Sequence, residues 1–134
     1  MAQSGKAKKN LPHMMRKRAE FLSARNGVRA TAKALRCEAQ IVGENRDHPR
    51  IGFTVTKKNG NAVKRNRIKR RMRAAIQSAK NLKMRDGNNY VFIAKPNALT
   101  VPFVTLQSDI ADLIRKSHKR LDVRPAAHNA KPDV

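Results

Sequence analysis

Apolar residues recur along this chain at two spacings, and the switches between them outline the elements. From Met14 to Arg25, the residues Met14, Ala19, Phe21 and Leu22 share a broad face opposite Arg16, Lys17, Arg18 and Glu20. That is the pattern of a short amphipathic helix. Asn26-Gly27 reads as its stop, because glycine tolerates the left-handed conformation at a helix C-terminus. From Ala34 to Val42 the period changes to two: Leu35, Cys37, Ala39 and Ile41 alternate with Arg36, Glu38 and Gln40. This predicts a strand with one buried face. Ile51 to Thr56 alternates again, Ile51, Phe53 and Val55 against Gly52, Thr54 and Thr56. Gly43 to Pro49 is a polar turn region, and the two strands are expected to pair antiparallel across it.

The helical period returns from Ala62 to Ala79, where Ile68, Met72, Ala75, Ile76 and Ala79 fall on one stripe. Asn61 precedes it as a candidate N-cap. Asp86-Gly87 signals a turn, and Tyr90 to Ala94 is an apolar run suited to a buried strand, ended by Lys95-Pro96. Phe103, Leu106, Ile110, Leu113, Ile114 and Leu121 then make the cleanest amphipathic stripe in the chain. Thr100 is a candidate cap, and Pro102 fits only a first helical turn. The order helix, two strands, helix, strand, helix predicts an α+β fold: a two-layer sandwich with helices on a small mixed sheet.

Length and composition narrow the class. With 134 residues the chain fits one domain. Residues 1–10 are polar and basic and read as a disordered tail, residues 11–121 as the folded body, and residues 122–134 as a flexible tail. The single cysteine, Cys37, excludes an internal disulfide framework and a cysteine-based zinc cluster. No run of 18 apolar residues is present to cross a membrane, and the N-terminus lacks the apolar segment of a secretory signal, so a cytoplasmic chain is expected.

Charge changes the picture most. Lys and Arg number 31 against 9 Asp and Glu, a net charge of +22. So small a body repels itself unless a polyanion neutralises it. No acid occurs between Arg50 and Arg85, where Lys57, Lys58, Lys64, Arg65, Arg67, Lys69, Arg70, Arg71 and Arg73 cluster. On the helix, Arg67, Lys69, Arg70, Arg71 and Arg73 cover a wide arc away from the Ile68-Met72-Ile76 stripe. A merely solvated face would interleave acids with these bases. An arginine-rich face instead suits phosphate oxygens and base stacking. The free N–H groups at the helix start, reached past Gly60, add to the same anion site. Membrane binding fits poorly, because the helix lacks a large aromatic and leucine face.

The run Thr56-Lys57-Lys58-Asn59-Gly60-Asn61-Ala62-Val63-Lys64-Arg65-Asn66-Arg67-Ile68-Lys69-Arg70 closely resembles the signature of the bacterial ribonuclease P protein family, with Thr56 in place of the usual serine. The likeness extends over most of the body and excludes the tails. It implies an α/β sandwich around about four strands, with a left-handed βαβ crossover holding the arginine-rich helix. It also implies a non-catalytic protein subunit of a ribonucleoprotein endonuclease that removes the 5′ leader of precursor tRNA. The implied partners are the catalytic RNA, which supplies the active site with Mg²⁺, and the leader; no protein partner is required. By the same resemblance, Arg65, Asn66, Arg67, Lys69 and Arg70 are expected to contact RNA, together with Lys57 and Lys58. Lys64, Arg71 and Arg73 belong to the same basic cluster. Phe21 matches an aromatic position in a leader-binding cleft. Arg25 stands where many members carry a second aromatic, and Leu35 and Cys37 are expected beside it.

The residues offer little for catalysis by the protein alone. None of the nine acids sits in the basic cluster, and Asp109 and Asp112 read as solvated positions on the last helix. His13, His48, His118 and His128 are scattered, and Cys37 reads as a small buried hydrophobe. No ligand set for Mg²⁺ emerges from the sequence. The alternatives are a ribosomal or other structural RNA-binding protein, without preference for a leader, and a DNA-binding helix-turn-helix protein, which would need helices rather than strands beside the basic helix.

Overall fold

The computed structural model describes residues 13–15, 18–43, 48–79 and 82–123. Both tails lie largely outside these, as does most of the polar turn after Val42. The elements are β1 (His13–Met14), α1 (Arg18–Ala24), β2 (Val28–Thr31), β3 (Leu35–Ile41), β4 (Arg50–Thr54), α2 (Ala62–Ser78), β5 (Asn88–Ala94) and α3 (Phe103–Val123). Short 3₁₀ turns at Lys57–Asn59 and Pro96–Leu99 lead into α2 and α3.

The strands form one mixed sheet in the order β1-β4-β5-β3-β2. β5 is central, antiparallel to β3 and parallel to β4. The expected hairpin of β3 with β4 is therefore absent: β5 lies between them. The physical reason lies in β5 itself, whose residues are buried throughout except for half-buried Ile93. A strand covered on both faces belongs at the middle of a sheet. Two strands exceed the three read from periodicity. β2 is four residues long, and β1 is a two-residue parallel bridge to β4. Met14 thus lies in a strand rather than a helix: the Met15 N–H donates to Ile51 O at 2.7 Å.

One face of the sheet carries the main core. Leu35, Cys37, Ala39, Ile51, Tyr90 and Phe92 meet Ile68, Met72 and Ile76 of α2 and Leu106, Ile110, Leu113 and Ile114 of α3. Full burial of each such aliphatic side chain contributes about 1.5–3 kcal/mol. Asp109 is also buried here, where its carboxylate accepts the Ala34 N–H at 2.6 Å. It is a staple for the β2–β3 turn, not a solvated residue. α3 continues through Asp122 and Val123, past the boundary drawn at Leu121. Two cations of α3 reach the outer strand: the Arg120 guanidinium donates to Arg29 O, and Lys116 Nζ donates to Thr31 O at 3.2 Å.

α1 covers part of the opposite face, where Met15, Ala24 and Val91 form a smaller cluster with Phe21 and Ile93. It is tied down by an Arg50–Glu20 ion pair to β4 and by Ser23 Oγ donating to Gln40 Oε1 at 3.0 Å. Gly27 does not take the left-handed conformation expected of it, which among the described glycines belongs to Gly60 alone. It is glycine for closeness: a Cβ there would collide with the backbone carbonyl of Ala39.

Candidate nucleic-acid interface

The start of α2 is built for anions. Asn61 has extended backbone, and its side chain accepts the Lys64 N–H at 3.0 Å, the cap read from sequence. Gly60, at φ 114°, turns the chain into the helix. Arg65 Nε donates to Gly60 O at 3.2 Å, which fixes this arginine beside the turn. Lys57, Lys58, Lys64, Asn66, Arg67, Arg70 and Arg73 are exposed around it, and Lys69 is half-buried. With Ile68 and Met72 fully buried, the helix divides into a core side and a cationic side.

Arg71 departs from this group. Its guanidinium donates to the carbonyls of Ala98 and Leu99, at 2.7 Å each, and to that of Val101. It clamps the turn that leads into α3 and is engaged within the protein through these three hydrogen bonds.

On the α1 side of the sheet lies a cleft of about 650 Å³. Its floor follows from the strand register. One cross-strand row runs Arg29–Glu38–Val91–Gly52, and the next runs Thr31–Arg36–Ile93–Thr54. Phe21 and Leu22 of α1 form its wall, with Arg18 and Arg25 at the rim. Phe21 lies directly over Gly52, where any Cβ would strike its ring. Phe21 and Arg25 thus line the same cleft.

Leu35 and Cys37 do not join them. Both are fully buried on the opposite face, under α3. Side chains alternate along a strand, so the cleft receives Arg36 and Glu38 instead. Burial pushes the Cys37 thiol up to about 12, and Ser117 Oγ is its polar neighbour at 3.8 Å. Arg18, Arg29, Arg36 and Glu38 were not singled out from sequence. For Arg29, Arg36 and Glu38 the signal was the polar phase of the alternation on β2 and β3; Arg18 lies on α1. Among the described residues, Glu38 is the only acid lining the cleft; it faces Arg29 at 3.6 Å, with its side chain 13% exposed.

The cleft and the basic helix meet. Thr54, Val55 and Thr56 line the cleft at the end of β4, and Lys57 and Lys58 follow at once. On the core side of the sheet, Tyr90 Oη accepts the Arg85 N–H at 2.9 Å and an Asn88 side-chain N–H at 3.2 Å, and lies 2.6 Å from His118 Nε2. The hydroxyl proton is therefore directed at a neutral imidazole. Burial, then the charge of Arg85, lower the His118 pKa, while Asp122 opposes the shift. Among the described residues, no three His, Cys, Asp or Glu side chains are grouped to hold a metal ion. No helix among them is long and apolar enough to cross a membrane.

The chain is similar to known proteins of one family. The family model described as Ribonuclease P matches residues 10–118. The ribonuclease P protein component of Brucella suis (strain ATCC 23445 / NCTC 10510) is 40% identical over 133 residues, covering 90% of this chain and 94% of that protein. That of Bartonella quintana (strain Toulouse) is 40% identical over 117 residues, covering 84% and 88%. In fold, the chain is similar to the Staphylococcus aureus RNase P protein, with a TM-score of 0.64 at 24% identity over 78% of this chain and 94% of that one. The Thermotoga maritima RNase P protein gives 0.65 at 23% identity over 78% and 96%.

Proposed function

This chain belongs to the ribonuclease P protein family, and on that premise we propose how it serves as the protein subunit of the bacterial enzyme. The cationic side of α2 binds the catalytic RNA, and the cleft under α1 holds the 5′ leader of precursor tRNA. The observation that carries this reading is the junction at Thr54–Lys58. A strand of RNA leaving the cleft there passes directly onto the cationic helix start.

The chemistry of each part follows. Exposed guanidinium and ammonium groups on α2 neutralise phosphates, so the RNA folds and binds substrate at lower Mg²⁺. The Phe21 ring offers a stacking surface for an unpaired base, worth about 1–3 kcal/mol. Arg18, Arg25 and Arg36 hold the leader backbone. As the family resemblance implies, we assign the Mg²⁺ ion and the phosphodiester cleavage to the RNA subunit. The protein acts by position and charge, in the bacterial cytoplasm.

Reconstitution tests this. The protein is mixed with a bacterial ribonuclease P RNA and a leader-bearing precursor tRNA at low Mg²⁺. Cleavage at the mature 5′ end is compared with RNA-alone and protein-alone controls. Stimulated, correctly placed cleavage with the protein inert alone is the expected result. Tight, salt-sensitive RNA binding with no stimulation by a cognate RNA would assign the chain to structural RNA binding instead.

A further inference from the structure

The floor of the cleft ends on one side at Thr54, beside the basic helix, and on the other at β2, the last strand of the sheet. The row Thr54–Ile93–Arg36–Thr31 joins the two ends, three strand spacings or about 14 Å apart. The basic lining does not stop at β2. The Arg29 side chain lines the cleft, while its carbonyl accepts from the Arg120 guanidinium of α3. The Thr31 carbonyl accepts from Lys116 Nζ at 3.2 Å. These two bonds draw cations of α3 round the open edge of the sheet to the end of the cleft. An ammonium has three donors and a guanidinium five, so both keep donors for a ligand. Past the edge lies a second concavity, of about 590 Å³, whose polar lining includes Lys33, Lys116, Thr105 and Ser108. Its two acids are engaged within the protein: Asp109 accepts the Ala34 N–H, and Asp112 pairs with Arg115 at 3.0 Å. Lys119 is exposed on the adjoining face of α3.

We propose that the β2 edge and the outer face of α3 form a second binding segment for the leader, which holds the phosphates of nucleotides upstream of those in the cleft. The inference rests on the leader-cleft reading above. The RNA subunit, bound on α2, acts on the scissile bond, so the upstream end of the leader leaves the cleft at β2. There it meets Arg120 and Lys116, and then the concavity at Lys33. Ammonium, guanidinium and hydroxyl groups suit phosphate and ribose, contacts that position a strand without reading its bases. Among the described residues, no aromatic side chain lines this concavity to stack a base. The added affinity therefore depends on the length of the leader and not on its upstream sequence.

The test uses the reconstituted holoenzyme and precursor tRNAs with leaders of about 4 and about 16 nucleotides, the span of single-strand site sizes. The long leader is made with a uridine-rich and with an adenosine-rich upstream part. Dissociation constants are measured at several salt concentrations, with mature tRNA as the control. The wild type is expected to bind both long leaders more tightly than the short one, with a log–log salt slope steeper by about 0.7 for each added phosphate contact. Lys33→Ala combined with Lys119→Ala removes two exposed ammonium groups, and thermal melts check that the fold stands. This variant is expected to weaken long-leader binding by about 2- to 30-fold, as for two exposed ion pairs, and to lower the slope by about 1.4. Binding of the short-leader precursor and of the RNA subunit should stay within about twofold. Equal affinity of the wild type for short and long leaders overturns the inference, as does a gain confined to one upstream sequence. A double variant that keeps the full long-leader gain also overturns it. So does one that weakens short and long leaders alike or lowers RNA-subunit affinity, which would assign this flank to the RNA subunit. Short-leader precursor bound no better than mature tRNA by the wild type would instead overturn the leader-cleft reading itself.

Discussion

Gly52→Ala is the change that isolates the cleft from the basic helix. The added methyl would lie 2.7 Å from Phe21 Cζ and 3.1 Å from Met15 Sδ. Carbon contacts settle near 3.5–4.0 Å, so the ring must retreat by about 1 Å or more. If the ring stays, the overpacking costs about 1–3 kcal/mol, seen as a Tm lower by roughly 4 °C per kcal/mol in a domain of this size. If it swings out, the stacking surface goes with it, and about 1–3 kcal/mol of leader binding is lost. The preference for precursor over mature tRNA then falls by about 5- to 150-fold. The Cβ points to the α1 side, whereas α2 packs on the other face through Ile68 and Met72. Affinity for the RNA subunit should therefore stay within about twofold. The assay is the dissociation constant of the holoenzyme for precursor and for mature tRNA, alongside that of the protein for the RNA subunit. Because Gly52 acts through Phe21, adding Phe21→Ala to Gly52→Ala should change little more. Full additivity of the two, or an equal loss of RNA-subunit affinity, would refute the reasoning.

Further outcomes follow from the same structure. Arg67→Ala should lower RNA-subunit affinity and reduce the log–log salt slope by about 0.7–0.9, measured by titration at several salt concentrations. Arg71→Ala should leave that slope unchanged and instead lower thermal stability by about 1–3 kcal/mol, because three carbonyls lose their donor. His118 is held neutral in the fold while the unfolded chain takes up its proton. Stability should thus decline as pH falls through about 6.5, and denaturant melts of His118→Gln should lose that part of the profile. Cys37, buried and with its pKa pushed up to about 12, should react with a thiol reagent only as fast as the fold opens, so labelling should accelerate in step with denaturant.

Long periodic segments and the cap of α2 are legible in the sequence because their causes are local. Asn61 and the Ile68-Met72-Ile76 stripe are set by neighbours three and four residues away. The basic run likewise points to a polyanion through its charge alone. What escapes depends on partners distant in sequence. β2 is four residues long, with small Val28 and Ala30 as its inward positions, and β1 is two residues that exist through pairing with β4. The position of β5 between β3 and β4 could not come from a turn signal. For Leu35 and Cys37 the alternation is right, but α3 covers one face of β3 and the cleft the other. Periodicity names two faces without saying which helix covers each. Arg71 looks like its neighbours because its acceptors lie 27 to 30 residues ahead. Asp109 does carry a signal, since it falls between Leu106 and Leu113 on the apolar stripe of α3.

The contacts from Arg120 and Lys116 to the carbonyls of Arg29 and Thr31 bear on self-association. β2 is the last strand on its side of the sheet, and an open strand invites a second chain to add to it. While the protein is free, its charge of +22 keeps copies apart. RNA, by neutralising that charge, removes the repulsion. With two outward carbonyls of β2 occupied from within and β1 only two residues long, the sheet offers little template at either end. The barrier to edge pairing is thus geometric and persists in the neutralised ribonucleoprotein, when charge no longer provides one.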